Sequence, residues 1–180
     1  KSVRIDFVSD IACPWCAIGL TALEQAVDQV SDRVSVEIHT QPFELNPQMP
    51  PGGRDVFEYL SEKYGNPISQ VKINQERIYQ RAAEMDLPFI QKGANESITP
   101  FMAIDLALGG EEFDAAAQLR LKKALFHTYF TLAVSMDEPQ HLIDAVARAN
   151  LPVSRAQAVI ESDEFSQAVR DIEQQYGQLG

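Results

Sequence analysis

Cys13 and Cys16, the only cysteines in the chain, are separated by Pro14 and Trp15 at the point where a strand-forming run gives way to helical periodicity. Val3-Arg4-Ile5-Asp6-Phe7-Val8 is β-branched and aromatic, and Ser9-Asp10 supplies turn and capping groups after it. Pro14 suits a first helical turn, and Ile18, Leu20, Leu23, Ala26, Val27 and Val30 follow at helical spacing. Val34 to Thr40 then alternates apolar and polar residues, as a second strand does. Strand, helix, strand is a βαβ unit, which places Cys13 at the C-terminal end of the first strand, where open α/β sheets carry their function.

Cys13 is therefore predicted at a helix N-terminus. Unpaired N–H groups and the positive end of the helix dipole favour a thiolate there, lowering the thiol pKa from about 8.5 into the range of about 3.5–7.5. Cys16, one turn further on, can close a disulfide with Cys13 or resolve a mixed disulfide that Cys13 has formed. The competing readings are two inert apolar cysteines and half of a zinc site. Against zinc, His39, His127 and His141 form no paired ligand motif, and there is no second C-x-x-C. No metal is expected.

At 180 residues, 45% hydrophobic and 23% charged, the chain can bury a substantial core. Its net charge of -11 and lack of a basic stripe make nucleic acid and anionic membrane surfaces unfavourable partners. There is no apolar run of about 18 residues to span a bilayer, and no charged-then-apolar signal segment at Lys1. A cytoplasmic location is expected.

Gln41 to Gly53 is rich in proline and glycine and reads as loop; from about Asp55 onward the chain reads as helix. Helices are predicted from Asp55 to Tyr64 with Gly65 as stop, from Pro67 to Met85, from Thr99-Pro100 to Gly109-Gly110, and from Glu112 to Ser135. Further helices are predicted from Asp137 to Ala149, from a capping box at Ser154-Arg155-Ala156-Gln157, and from Asp163 to Tyr176 with Gly177 as stop. Leu121, Leu125, Phe126, Tyr129, Phe130 and Leu132 form a heavy apolar face suited to core or cleft wall.

Ser9 to Gly19 with its Cys-Pro-Trp-Cys, Pro42-Phe43-Glu44-Leu45-Asn46-Pro47, Lys63-Tyr64-Gly65 and Phe126-His127-Thr128-Tyr129-Phe130 together closely resemble FrnE-like members of the DsbA family, over essentially the whole chain. The resemblance implies an α/β, thioredoxin-like fold interrupted by an all-helical insertion. Residues 1–52 would form the N-terminal βαβ portion, 53–162 the insertion, and 163–180 a helix returning to the first portion. It implies a thiol-disulfide oxidoreductase or isomerase acting on protein thiols and disulfides, with Cys13 and Cys16 as the redox pair. No cofactor beyond that redox-active disulfide is implied; glutathione is compatible as reductant or cosubstrate, and a homodimer is compatible with the pattern. Family members continue into a segment with a cis-proline facing the pair, then two antiparallel strands and a helix. With no proline after Pro152, this chain is expected to lack those C-terminal strands and to leave one edge of its first strand unpaired.

The remaining site candidates act on the pair. Pro14 rigidifies the helix start, and Trp15 tunes thiolate stability or packs over the sulfurs. Asp10 is expected to cap the helix in preference to moving a proton. Asp6 is either a buried carboxylate relaying a proton to Cys16 or a solvent-facing strand residue. His39 reads as structural. Phe43, Asn46 and Pro47 shape a loop at the substrate cleft. Two other functions stand beside the redox reading. One is a glutathione-dependent isomerase or kappa-class glutathione transferase acting on a small aromatic or polyketide substrate, although those enzymes typically carry serine in place of the pair. The other is a non-catalytic binding module.

Overall fold

The computed structural model describes residues 1–90, 94–95 and 114–180. The helix predicted between Thr99-Pro100 and Gly109-Gly110 and the start of the one predicted from Glu112 lie outside them. The first strand, β1 (Ser2–Ser9), runs parallel to β2 (Ser35–Pro42), joined through α1 (Pro14–Val30). Their register sets Ile5 against Ile38 and Asp6 against His39. Among the described residues β1 pairs with β2 alone, and no peptide bond is cis.

A short strand β3 (Arg54–Asp55) meets β4 (Ala94–Asn95) and leads into α2 (Val56–Tyr64). The Asp55 carboxylate caps α2, accepting from the N–H groups of Phe57 and Glu58, and Gly65 ends it at φ 68°. Helix α3 (Ile68–Ala83) follows, then α4 (Ala115–Phe126), which passes directly into a π-helix (His127–Thr131). The chain closes with α5 (Pro139–Arg148), α6 (Val153–Ile160) and α7 (Ser166–Leu179).

Three predicted boundaries are corrected. The run from Glu112 to Ser135 is not one helix, because the backbone widens after Phe126, with Leu132 N–H bonding back five residues to the His127 carbonyl, and leaves helical geometry at Ala133 with φ 54°. No capping box opens α6. The helix starts directly after Pro152, which puts Ser154 inside the first turn and not at the cap. Gly177 does not stop α7, which runs through it to Leu179.

One apolar core joins the sheet to α1, α4, the π-helix and α5–α7, while α3 packs on α1 through a second, smaller cluster of Ile18, Ile78, Ala82 and Met85. Ile11, Leu20, Leu121, Leu125, Leu142 and Val146 are all at most 2% exposed within a single packed cluster. Each such side chain contributes about 1.5–3 kcal/mol by leaving water. Helix α4 lies on β2, where Gln118 Oε1 accepts the Thr40 N–H at 2.9 Å. That bond satisfies a strand amide without a third strand. The cluster crosses the expected boundaries at residues 52 and 162.

Candidate active site

Cys13 occupies the N-cap position of α1, with extended backbone (φ -95°, ψ 112°) and its carbonyl accepting from Cys16 N–H at 3.1 Å. Its sulfur accepts a hydrogen bond from the Cys16 thiol, which is the main cause holding the Cys13 pKa below the ordinary thiol value; the Cys16 and Trp15 amides add to it, while burial opposes. The same hydrogen bond raises Cys16, and burial and the nearby Cys13 charge raise it further. One thiol is thus prepared to ionise and the other to keep its proton. Both cysteines are half-buried, with Cys16 packed against the core.

Asp10 does not cap α1. Its carboxylate lies buried between two backbone amides, accepting from Ala12 N–H at 2.8 Å and Leu45 N–H at 2.7 Å. It ties the cysteine turn to the loop after β2. Burial raises its pKa to about 6, against the pull of those amides and of Lys122. Asp10 also disfavours charge on both cysteines. Asp6 is placed elsewhere: Arg4 pairs with it at 2.7 Å and Gln41 donates to it at 3.0 Å, and the Arg4 hydrogen bond leads in lowering its pKa. Asp6 is thus exposed on β1 beside these partners. His39 Nε2 lies 3.0 Å from a Glu37 carboxylate oxygen on β2.

The loop from Phe43 to Pro47 is clamped at both ends. Arg170 of α7 donates to Glu44 and to Glu173, each at 2.6 Å, and Glu173 accepts the Glu44 N–H at 2.9 Å. On the other side Asn46 Oδ1 accepts from Tyr59 at 2.6 Å and from Lys63 Nζ at 2.5 Å. A cavity of ≈ 320 Å³ opens beside Cys13, Pro14 and Trp15, with α2, α3 and the π-helix as its other walls. Trp15 is 56% exposed at this wall. Asn46 lines the cavity together with Leu45, whereas Phe43 and Pro47 stand outside its lining. A loop residue's side is set by its tethers, and here they turn Leu45 and Asn46 inward.

The sequence reading missed Lys63 and Lys122 as individual contributors. Lys63 was visible only as part of the Lys63-Tyr64-Gly65 motif. Lys122 is fully buried, and the available signal was its place among Gln118, Leu121 and Leu125 on the inward face of α4. Tyr129 and Phe130, expected as core or cleft wall, are both: they are buried, in edge contact with centroids 4.7 Å apart, and line the cavity. Among the described residues no group of three or more His, Cys, Asp or Glu side chains is arranged to hold a metal ion. Among them, too, no helix is long and apolar enough to cross a membrane.

The family model of the DSBA-like thioredoxin domain matches residues 4–180. The chain belongs to this family. Among solved structures, a probable DsbA oxidoreductase from Streptomyces coelicolor is 26% identical, with a TM-score of 0.84 over 98% of this chain and 76% of that one. A 2-hydroxychromene-2-carboxylate isomerase shares the fold at 13% identity and a TM-score of 0.65, over 96% of this chain and 78% of that one. The cytosolic disulfide reductase DsbM from Pseudomonas aeruginosa does so at 18% and 0.61, over 98% and 78%; it has also been solved with GSH. No curated protein sequence matches the chain. The DSBA-like family and the Streptomyces structure support thiol-disulfide oxidoreductase or isomerase chemistry at the level of the family.

Proposed function

We propose that this protein is a thiol-disulfide oxidoreductase or disulfide isomerase acting on protein thiols and disulfides through Cys13 and Cys16. The observation that carries the reading is the asymmetry of the pair: Cys13, with a lowered pKa, opens on the cavity, while Cys16, with a raised pKa, is packed behind it. Cys13 thiolate attacks a substrate disulfide, forming one S–S bond as a substrate thiolate leaves. Cys16 then loses its proton and attacks the Cys13 sulfur, releasing the second substrate thiol and carrying two electrons from the pair to the substrate. Run backwards, the same steps oxidise a dithiol; release before resolution gives isomerisation.

Asp10 acts as a positioning residue for Cys13, through the turn its carboxylate holds and the negative charge it brings. Pro14 and Trp15 lie between the two cysteines, and residues 53–162 form the helical insertion that supplies most of the opposite cavity wall. Glutathione as reductant and a cytoplasmic location both fit a fold shared with a cytosolic disulfide reductase solved with GSH. Retention of both cysteines favours the redox reading over the transferase-like one.

Substitution of the resolving cysteine tests it. Cys16→Ser, reduced and mixed with a disulfide-bearing protein such as insulin, should accumulate a mixed disulfide at Cys13 visible by intact mass, and Cys13→Ser should accumulate none. Equal trapping by both variants, or by neither, would contradict the assignment.

A further inference from the structure

The cavity beside Cys13 differs in charge from the rest of the molecule. The chain carries 26 Asp and Glu against 15 Lys and Arg. Yet among the described residues the cavity lining includes no carboxylate side chain and a single cation, Lys63. Asn46, Asn66, Asn74 and Gln75 add carboxamides to the same lining. Lys63 is held in place: its Nζ donates to Asn46 Oδ1 at 2.5 Å and to the Leu45 carbonyl at 3.4 Å, and lies 5.7 Å from the centre of the Tyr64 ring. An ammonium has three donors, so these two bonds leave one for a ligand.

The remaining wall is apolar, with Leu60, Val71, Ile78, Tyr79, Tyr129 and Phe130 facing the same space. A volume of ≈ 320 Å³ is at the lower end of small-molecule sites, which run from about 300 to 1,000 Å³. It suits one ring-bearing molecule and is too small for a folded protein surface. The sulfur that such a molecule would meet is that of Cys13.

We propose that this cavity takes a low-molecular-weight disulfide with an apolar, ring-sized body and a carboxylate. The carboxylate meets Lys63 and the carboxamides, the ring meets the apolar wall, and the sulfur meets Cys13. This assignment rests on the redox reading of Cys13 and Cys16. Cys13 thiolate bonds to one ligand sulfur as the ligand S–S bond breaks and its other half leaves as a thiolate. Cys16, its proton released to solvent, then bonds to Cys13 and the second half leaves as a thiolate. Two electrons pass from the protein dithiol to the ligand, so a single turnover needs no further reactant.

Stopped-flow mixing of the reduced full chain with three disulfides tests it. Dithiobis(nitrobenzoate) is aromatic and anionic, dithiodipyridine aromatic and uncharged, and dithiodiacetate anionic without a ring. Each rate is divided by that of mercaptoethanol with the same disulfide at the same pH, which removes intrinsic reactivity. The normalised rate should be highest for dithiobis(nitrobenzoate) and should saturate with its concentration. In Lys63→Gln the ratio of its normalised rate to that of dithiodipyridine should fall about tenfold, and in Lys63→Arg most of it should return. Equal normalised rates for the three probes, or a ratio that Lys63→Gln leaves in place, overturns the cavity assignment. Failure of the redox reading shows separately, as absence of a Cys13–Cys16 disulfide by intact mass after reaction with any of the probes.

Discussion

Asp10 is the residue through which the site is most open to test. Its pKa of about 6 in the fold, against an ordinary 3.8, means that the folded state holds a proton that the unfolded chain releases between those values. Stability from this group is therefore fully present below pH 3.8 and is lost as pH rises through about 6, by roughly 3 kcal/mol for a shift of this size. Asp10→Asn should flatten that part of the urea-unfolding stability profile relative to the parent. Because the Asp10 charge also disfavours the Cys13 thiolate, the same variant should lower the Cys13 pKa, read from pH-dependent alkylation. A Cys13 pKa that rises or stays fixed would contradict the electrostatic role. Sequence marked this aspartate as a helix cap because Ser-Asp before a helix is the usual capping signal. One of its two partners, Leu45 N–H, lies 35 positions away, and no local pattern reports a bond of that reach.

At the scale of elements, the loop after β2 is held in place by α7. Glu44 is 2% exposed at its side chain and meets Arg170, itself 41% exposed. Removing the guanidinium leaves a buried carboxylate beside Glu173. The cost of breaking a fully buried pair is about 3–5 kcal/mol. With Arg170 partly in water, Arg170→Ala should cost about 2 kcal/mol in urea unfolding. The variant should also expose the Leu45 amide to faster hydrogen exchange. An unchanged stability and an unchanged Leu45 exchange rate would show that the clamp does not hold the loop. The first strand, α1, the second strand and α2 were legible because alternation, Pro14, Asp55 and Gly65 each act within a few residues. The π-helix was not, since its wider turn carries the same apolar face as an α-helix and differs only in backbone bonding. Gly177 misled for a related reason: a glycine signals a stop only where the chain adopts positive φ, and here it continues as helix.

Across the whole molecule, the parallel strands share one core with α1, α4 and the helices after it, and α1 carries a second cluster to α3, so these elements should unfold together. Leu125 is fully buried in α4, within the cluster that contains Ile38 of β2 and Leu20 of α1. Leu125→Ala should cost about 2–5 kcal/mol and move a single urea transition to lower concentration with its slope unchanged. Two separated transitions would instead mean that the helical segment folds independently of the sheet. The shared thioredoxin-like frame was readable from the cysteine junction and its accompanying motifs. The cavity was not, because its walls come from α1, the loop, α2, α3 and the π-helix, and only packing brings them to one place. The proposed chemistry requires that Cys13 and Cys16 form one redox couple. Equilibration in glutathione redox buffers, with alkylation and intact mass as readout, measures it directly. The expected result is a reversible two-electron transition from dithiol to internal disulfide, at a potential within the range of about -270 to -120 mV known for C-x-x-C proteins. Thiols that never form the internal disulfide across that range would contradict it.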